Sequence, residues 1–187
     1  MRLGRVSLAL CVLALLWLPA RLQAAELPAP QGAVVLTITG NIQNTNRPAF
    51  DAKKDVLFNY HEKNFTAAAA FDLEMLENLG MHEVEAELDI WPAKVRFEGP
   101  RLKDLLAAVG AAGTTINLLA LDGYGSEIPW SDTAAYDWIV ALKQDGQYLG
   151  LGQQGPLWVV YGYPDGRPMT AEDEARWPWA AFFMEIN

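Results

Sequence analysis

The stretch Trp138-Ile139-Val140-Ala141-Leu142-Lys143-Gln144-Asp145-Gly146-Gln147-Tyr148-Leu149 decides the fold class. Its first five residues are apolar without a break and fit a helix or a strand equally well, because so short a run carries no readable period. The residues that follow favour the strand. Asp-Gly tolerates the positive φ angles of a two-residue hairpin turn, so Asp145-Gly146 reads as the turn and Tyr148-Leu149 as the returning arm.

Working outward, most other segments also read as strands. Val34-Val35-Leu36-Thr37-Ile38-Thr39 is rich in β-branched residues and ends at Gly40, and the polar stretch from Asn41 to Pro48 follows as a loop. His82 to Asp89 places Val84, Ala86 and Leu88 at period two, the pattern of a half-buried strand that Trp91-Pro92 stops. Thr115 to Leu121 is a continuous apolar strand broken by Asp122-Gly123, Ile128-Pro129 marks a further extended piece, and Leu157 to Tyr163 and Ala180 to Ile186 complete the set.

Two helices stand against this background. Gly99-Pro100 opens one whose apolar face is Leu102, Leu105, Leu106 and Val109, closed by Gly110. Asp72 caps a shorter one through Leu73, Leu76 and Leu79, ended by Gly80. With no internal repeat or low-complexity linker, the sequence predicts a single compact α+β domain dominated by strands.

The N-terminus has the layout of a cleavable secretory signal: Arg2 and Arg5, an apolar run from Val6 to Leu18, and small residues at Ala24 and Ala25. The expectation is a signal peptide over 1–24, a domain over 25–187 and a periplasmic location. The apolar run is too short to span a bilayer. The single cysteine, Cys11, lies within that run after Leu10, where a lipid attachment site would need a small residue, so the mature chain has no thiol and no disulfide.

Export processing would remove Arg2, Arg5 and Arg21, lowering the Lys+Arg count from 14 to 11 against 23 acidic residues, and 11 less 23 gives a net charge of −12. An acidic chain with no basic run is a poor partner for phosphate backbones or anionic lipid, so nucleic acid and direct membrane insertion are excluded as expectations.

Catalytic motifs are scarce. The two histidines, His61 and His82, have no ligand spacing, and no nucleophile elbow, phosphate loop or paired-histidine motif is present. Asn64-Phe65-Thr66 matches a glycosylation sequon. Aromatic and acidic residues do gather at predicted strand ends: Trp91, Phe97, Asp122, Tyr124, Trp130, Trp158, Tyr161 and Tyr163. They suit core packing, and they equally suit a pocket for a flat heterocycle.

Five short motifs in order carry a resemblance: Leu88-Asp89-Ile90-Trp91; Phe97-Glu98-Gly99-Pro100 with Leu102, Leu105 and Leu106; Asp122-Gly123-Tyr124 with Ile128-Pro129; Asp145-Gly146; and Gly155-Pro156-Leu157-Trp158. From about Val34 to Ile186 the chain resembles the molybdopterin-binding domain of the sulfite oxidase family. That resemblance implies a strand-rich fold with a pterin site formed by loops at strand ends.

Enzymes of that family hold molybdenum through a cysteine ten residues before an aromatic-x-Gly motif, and here that position is Glu87. A carboxylate is a different donor for an oxo-metal centre from a soft thiolate. The basic residues near the implied site are Lys94, Arg96, Arg101 and Lys103. With this departure the chain is similar to small periplasmic pterin-binding proteins that relay pterin availability to membrane-bound cyclic-di-GMP enzymes.

The resemblance implies a non-catalytic binder for a pterin, with no tightly bound cofactor and no molybdenum. Its pocket would take Trp91, Asp122, Tyr124 and Trp158, with Phe97, Arg96 and Tyr161 contributing, and its partner would be the periplasmic region of an inner-membrane signalling protein, a cyclic-di-GMP enzyme or a sensor kinase. Asp122 is either the acceptor for the ligand's pyrimidine edge or simply part of an Asp-Gly turn. Two alternatives stand beside this reading. One is a molybdopterin-dependent oxidoreductase using a non-cysteine ligand such as Glu87, and the other is a domain that only docks onto another protein.

Overall fold

The computed structural model describes residues 27–88 and 91–187; the expected signal segment, and Asp89 and Ile90 of the first motif, lie outside the described residues. The Trp138 stretch is extended. Strand β7 (Asp137–Ala141) runs after a single intervening residue into β8 (Lys143–Gln144), and β9 (Gln147–Tyr148) returns against it. Asp145 and Gly146 hold φ of 48° and 79°, the pair of left-handed residues that the turn requires. Lys143 pairs with Tyr148 and Gln144 with Gln147.

The strand running from 137 to 144 serves two sheets. Its first part pairs antiparallel with β10 (Trp158–Gly162). Its last part enters a four-stranded sheet of order β3-β4-β8-β9, with β3 at His82–Ala86 and β4 at Val95–Gly99. Backbone bonds Val140 N→Pro100 O (2.9 Å) and Leu142 N→Glu98 O (2.8 Å) carry the pairing across the junction. Gly99 permits it: a Cβ there would sit 2.0 Å from the Val140 carbonyl oxygen.

The third sheet has five strands in the order β2-β1-β11-β5-β6, formed by β1 (Leu36–Gly40), β2 (Ala69–Phe71), β5 (Thr115–Ala120), β6 (Gly125–Pro129) and β11 (Ala181–Ile186). β1 and β11 run parallel, and the other pairs are antiparallel. The expected strands were therefore placed correctly to within a few residues.

The helices are short: α1 (Val56–Tyr60), α2 (Leu73–Glu77), α3 (Leu102–Ala108), α4 (Asp132–Ala135) and α5 (Ala171–Glu174). α3 buries Leu102, Leu105 and Leu106, as its apolar stripe requires. At the start of α2, Asp72 is buried and accepts bonds from Met75 N (2.8 Å), Gln31 N (2.7 Å) and Gly32 N (2.7 Å), so the cap also clamps the incoming chain. The backbone bond from Gly32 is the main reason its carboxyl titrates below the usual range. Sequence reasoning missed β2, β4, α1, α4 and α5. Each is three to five residues long, too short a run for a period to announce it. Among the described residues no helix is long and apolar enough to cross a membrane.

Gly99→Ala must push β4 away from the strand that links the sheets. The expected loss is about 3 kcal/mol or more, the upper end of overpacking costs. Urea denaturation of variant and parent measures it, and a loss below roughly 1 kcal/mol would mean that β4 shifts freely.

Candidate functional site

A cleft of about 400 Å³ opens beside α5, lined by Asp122, Tyr124, Trp158, Ala171, Glu174, Ala175, Trp177 and Trp179. They come from three parts of the chain. Asp122 and Tyr124 stand on the turn between β5 and β6, Trp158 begins β10, and the rest belong to α5 and the segment leading from it into β11.

That segment is fastened on both sides. On one side Leu121 N donates to Ala180 O (3.0 Å) and Ser126 Oγ to Arg176 O (3.1 Å). On the other, Ala181 N donates to Leu157 O (3.0 Å), and Ala180 N to Gln154 O (2.7 Å). The phenol of Tyr124 donates to Ala175 O, closing the cleft at one end.

Of the residues expected from the sequence, Asp122, Tyr124 and Trp158 line this cleft together. The turn role of Asp122 is present: Oδ1 accepts from Tyr124 N at 2.9 Å, and the exposed side chain also lines the cleft. Trp91 stands behind the wall, its ring centroid 6.4 Å from that of Trp158 and 6.3 Å from that of Trp177.

Four expected residues, Trp91 and the three that follow, do not line the cleft. Phe97 is fully buried, packed edge-on against Trp158 at 5.0 Å, and so supports the wall from behind. Tyr161 is also fully buried, and its hydroxyl is committed to Asp173. Arg96 is exposed on β4, where its backbone N donates to Asp145 Oδ1 and its guanidinium lies 3.4 Å from Glu98. The period-two alternation of β4 separates them: Phe97 faces the core, so Arg96 must face outward.

Sequence reasoning missed Glu174, Trp177 and Trp179. The signal present was Trp177-Pro178-Trp179, a dense aromatic pair just before the last strand. Trp179 is 45% exposed, whereas Trp177 is only 2% exposed, and its Nε1 has no hydrogen-bond partner among the described residues. Trp158 Nε1, in contrast, donates to Trp177 O at 3.2 Å.

The opposite side of α5 rests on Asp173, a carboxylate only 8% exposed. Oδ1 accepts from the hydroxyls of Tyr161 and Tyr163 (2.7 Å for Tyr163), and Oδ2 from Thr170 N and Thr170 Oγ1, both at 2.8 Å. Asp173 N donates back to Thr170 Oγ1 at 3.2 Å, so the same side chain completes a capping box. Burial opposes its ionisation, but the bonds from Tyr161, Thr170 and Tyr163 outweigh burial and hold the carboxyl at about 2. Burial, and then the bond to Asp173, raises the Tyr161 phenol well above its usual range, so it stays a donor. Arg176 stacks over Tyr161 at 5.4 Å and Trp138 at 5.7 Å and pairs with Asp132 at 2.5 Å.

Among the described residues no group of three or more His, Cys, Asp or Glu side chains is placed to hold a metal ion. Glu87 is exposed and does not line the cleft; its carbonyl accepts from Met169 N at 3.1 Å. No protein-family model and no curated protein matches the chain.

The Asp173 network carries a pH dependence of known sign. Its folded pKa is depressed, so its stabilisation is complete above the ordinary carboxylate value of 3.8 and fades as pH falls toward about 2. Asp173→Asn, which replaces two acceptor oxygens by one acceptor and one donor, should cost roughly 2–4 kcal/mol at neutral pH. Thermal unfolding of parent and variant from neutral pH into acid checks this. The parent should lose more stability than the variant between about pH 4 and pH 2, and parallel curves would rule out Asp173 as the source.

Proposed function

We propose that the protein is a non-catalytic pterin-binding protein whose ligand enters the cleft beside α5. One observation supports this above the others. Asp122, Tyr124 and Trp158, three residues that the motif resemblance assigns to a pterin site, line the same cleft, and two further tryptophans line it with them. A pterin is flat and has a hydrogen-bonding edge. Indole faces suit its rings, and a carboxylate suits its amino and ring N–H groups.

In this reading the sulfite oxidase-like fold supplies a pocket from which the catalytic metal has been given up. Glu87, at the position of the ligand cysteine, does not line the cleft, which supports a binder over a metal centre in it. The exported protein would sit in the periplasm and report occupancy to the periplasmic region of an inner-membrane signalling protein, a cyclic-di-GMP enzyme or a sensor kinase. Occupancy can be reported only through a differential contact, and the α5 segment is suited to it: the Tyr124–Ala175 bond and Trp179 lie at the cleft, where a ligand changes their surroundings.

Calorimetry with a reduced and an oxidised pterin tests the reading. Asp122→Ala should weaken binding by about 1–2 kcal/mol, since one carboxylate oxygen already serves Tyr124 N. Trp179→Ala, at an exposed ring, should weaken all pterins alike by about 1–3 kcal/mol, the range for a flat base on an aromatic face. Absence of binding in the parent, or variants that stay folded and bind as the parent does, would defeat the proposal. Stoichiometric molybdenum in protein from a molybdenum-replete host would favour the oxidoreductase instead.

A further inference from the structure

We infer that the cleft selects by charge, taking pterins whose side chain is neutral or cationic and rejecting those that carry a phosphate or carboxylate. The inference rests on the reading of this cleft as a pterin site and narrows the ligand class.

The polar groups of the cleft are unevenly matched. Asp122 and Glu174 contribute two carboxylates, and Tyr124 adds an oxygen whose proton already goes to Ala175 O, leaving only acceptor capacity. Trp158 Nε1 is committed to Trp177 O. Among the described residues two indole N–H groups of the lining have no partner: that of Trp179, which is 45% exposed, and that of Trp177, which is sealed from solvent.

No lysine or arginine lines the cleft among the described residues. Arg176 follows Ala175 directly, yet its guanidinium is held by Asp132 at 2.5 Å and lies over Tyr161. With Arg167 it lines a separate cavity, which also contains Tyr163, Thr170 and Asp173. The available cation is therefore withdrawn from the ligand.

This pattern dictates the ligand's complement. Two carboxylates call for N–H donors, as the amino and ring N–H of a pterin's pyrimidine edge provide. The exposed Trp179 indole N–H can meet one acceptor, as a ring carbonyl provides. An anionic substituent would enter a cleft that holds two carboxylates and, among the described residues, no lysine or arginine, in a chain of net charge −9. Rejection by like charge is a stronger filter than shape for ligands sharing the same ring.

Calorimetry of the mature protein with neopterin, its monophosphate ester and folic acid tests the inference. Neopterin should bind at least about tenfold more tightly than either anionic ligand, and the gap should narrow in high salt. Glu174→Gln should narrow it too, by raising the affinity for the monophosphate relative to neopterin. Trp179→Phe, which keeps an aromatic wall and removes the N–H, should weaken neopterin by about tenfold while thermal unfolding confirms the fold. Equal or tighter binding of the monophosphate would overturn charge selection while leaving the pterin reading intact. Failure of all three ligands to bind would instead overturn the pterin reading itself.

Discussion

A carboxylate sealed beneath a four-residue helix sets the geometry of everything around it. Asp173 remains ionised at 8% exposure only because two phenols, a backbone N–H and a hydroxyl converge on it. Each donor lost would leave the buried charge less well compensated. α5 is too short to persist by its own hydrogen bonds, so the network that satisfies Asp173 also fixes where the helix stands. The segment after α5 inherits that position. Arg176 is carried over the Tyr161 and Trp138 rings, Trp177 reaches the aromatic wall, and Trp179 is left at the surface.

The two faces of α5 consequently do different work with similar groups. On the inner face every acceptor has its donor and the tyrosines keep their protons, which makes a rigid support. On the cleft face Asp122 and Glu174 stand without basic partners, and the exposed Trp179 indole N–H is left unmatched among the described residues. Satisfied buried polar groups hold a structure in one arrangement, whereas unmatched ones at a cavity wall state what a ligand must bring. Arg176 belongs to the supporting side, where it pairs with Asp132 and lines the other cavity.

The aromatic cluster links this region to the sheets. Trp91, Phe97, Trp158, Trp177 and Tyr161 are in ring contact, and Phe97 lies on β4, which pairs with the strand shared by two sheets. Gly99 lets β4 come close enough for that pairing. A side chain two residues from Phe97 would thus disturb the wall through the backbone, without touching the cleft.

What the sequence determined by itself was local. The Asp145-Gly146 turn, the Asp72 cap, the stripe of α3 and the alternation of β3 are each set by neighbours within a few residues, and these features appear where they were read. The Asp122 turn was equally legible, because an Asx bond spans only two residues. Only the tertiary structure decided which aromatic residues face the cleft. Phe97 and Tyr161 carry the same composition signal as Trp158, yet both are fully buried, and Trp177 and Trp179 complete a wall that no spacing announced. Whether a ring is support or surface depends on segments tens of residues away, since Asp173 and the sheet junction settle how α5 sits against β10; burial is a property of those distant contacts and leaves no mark on the neighbouring sequence.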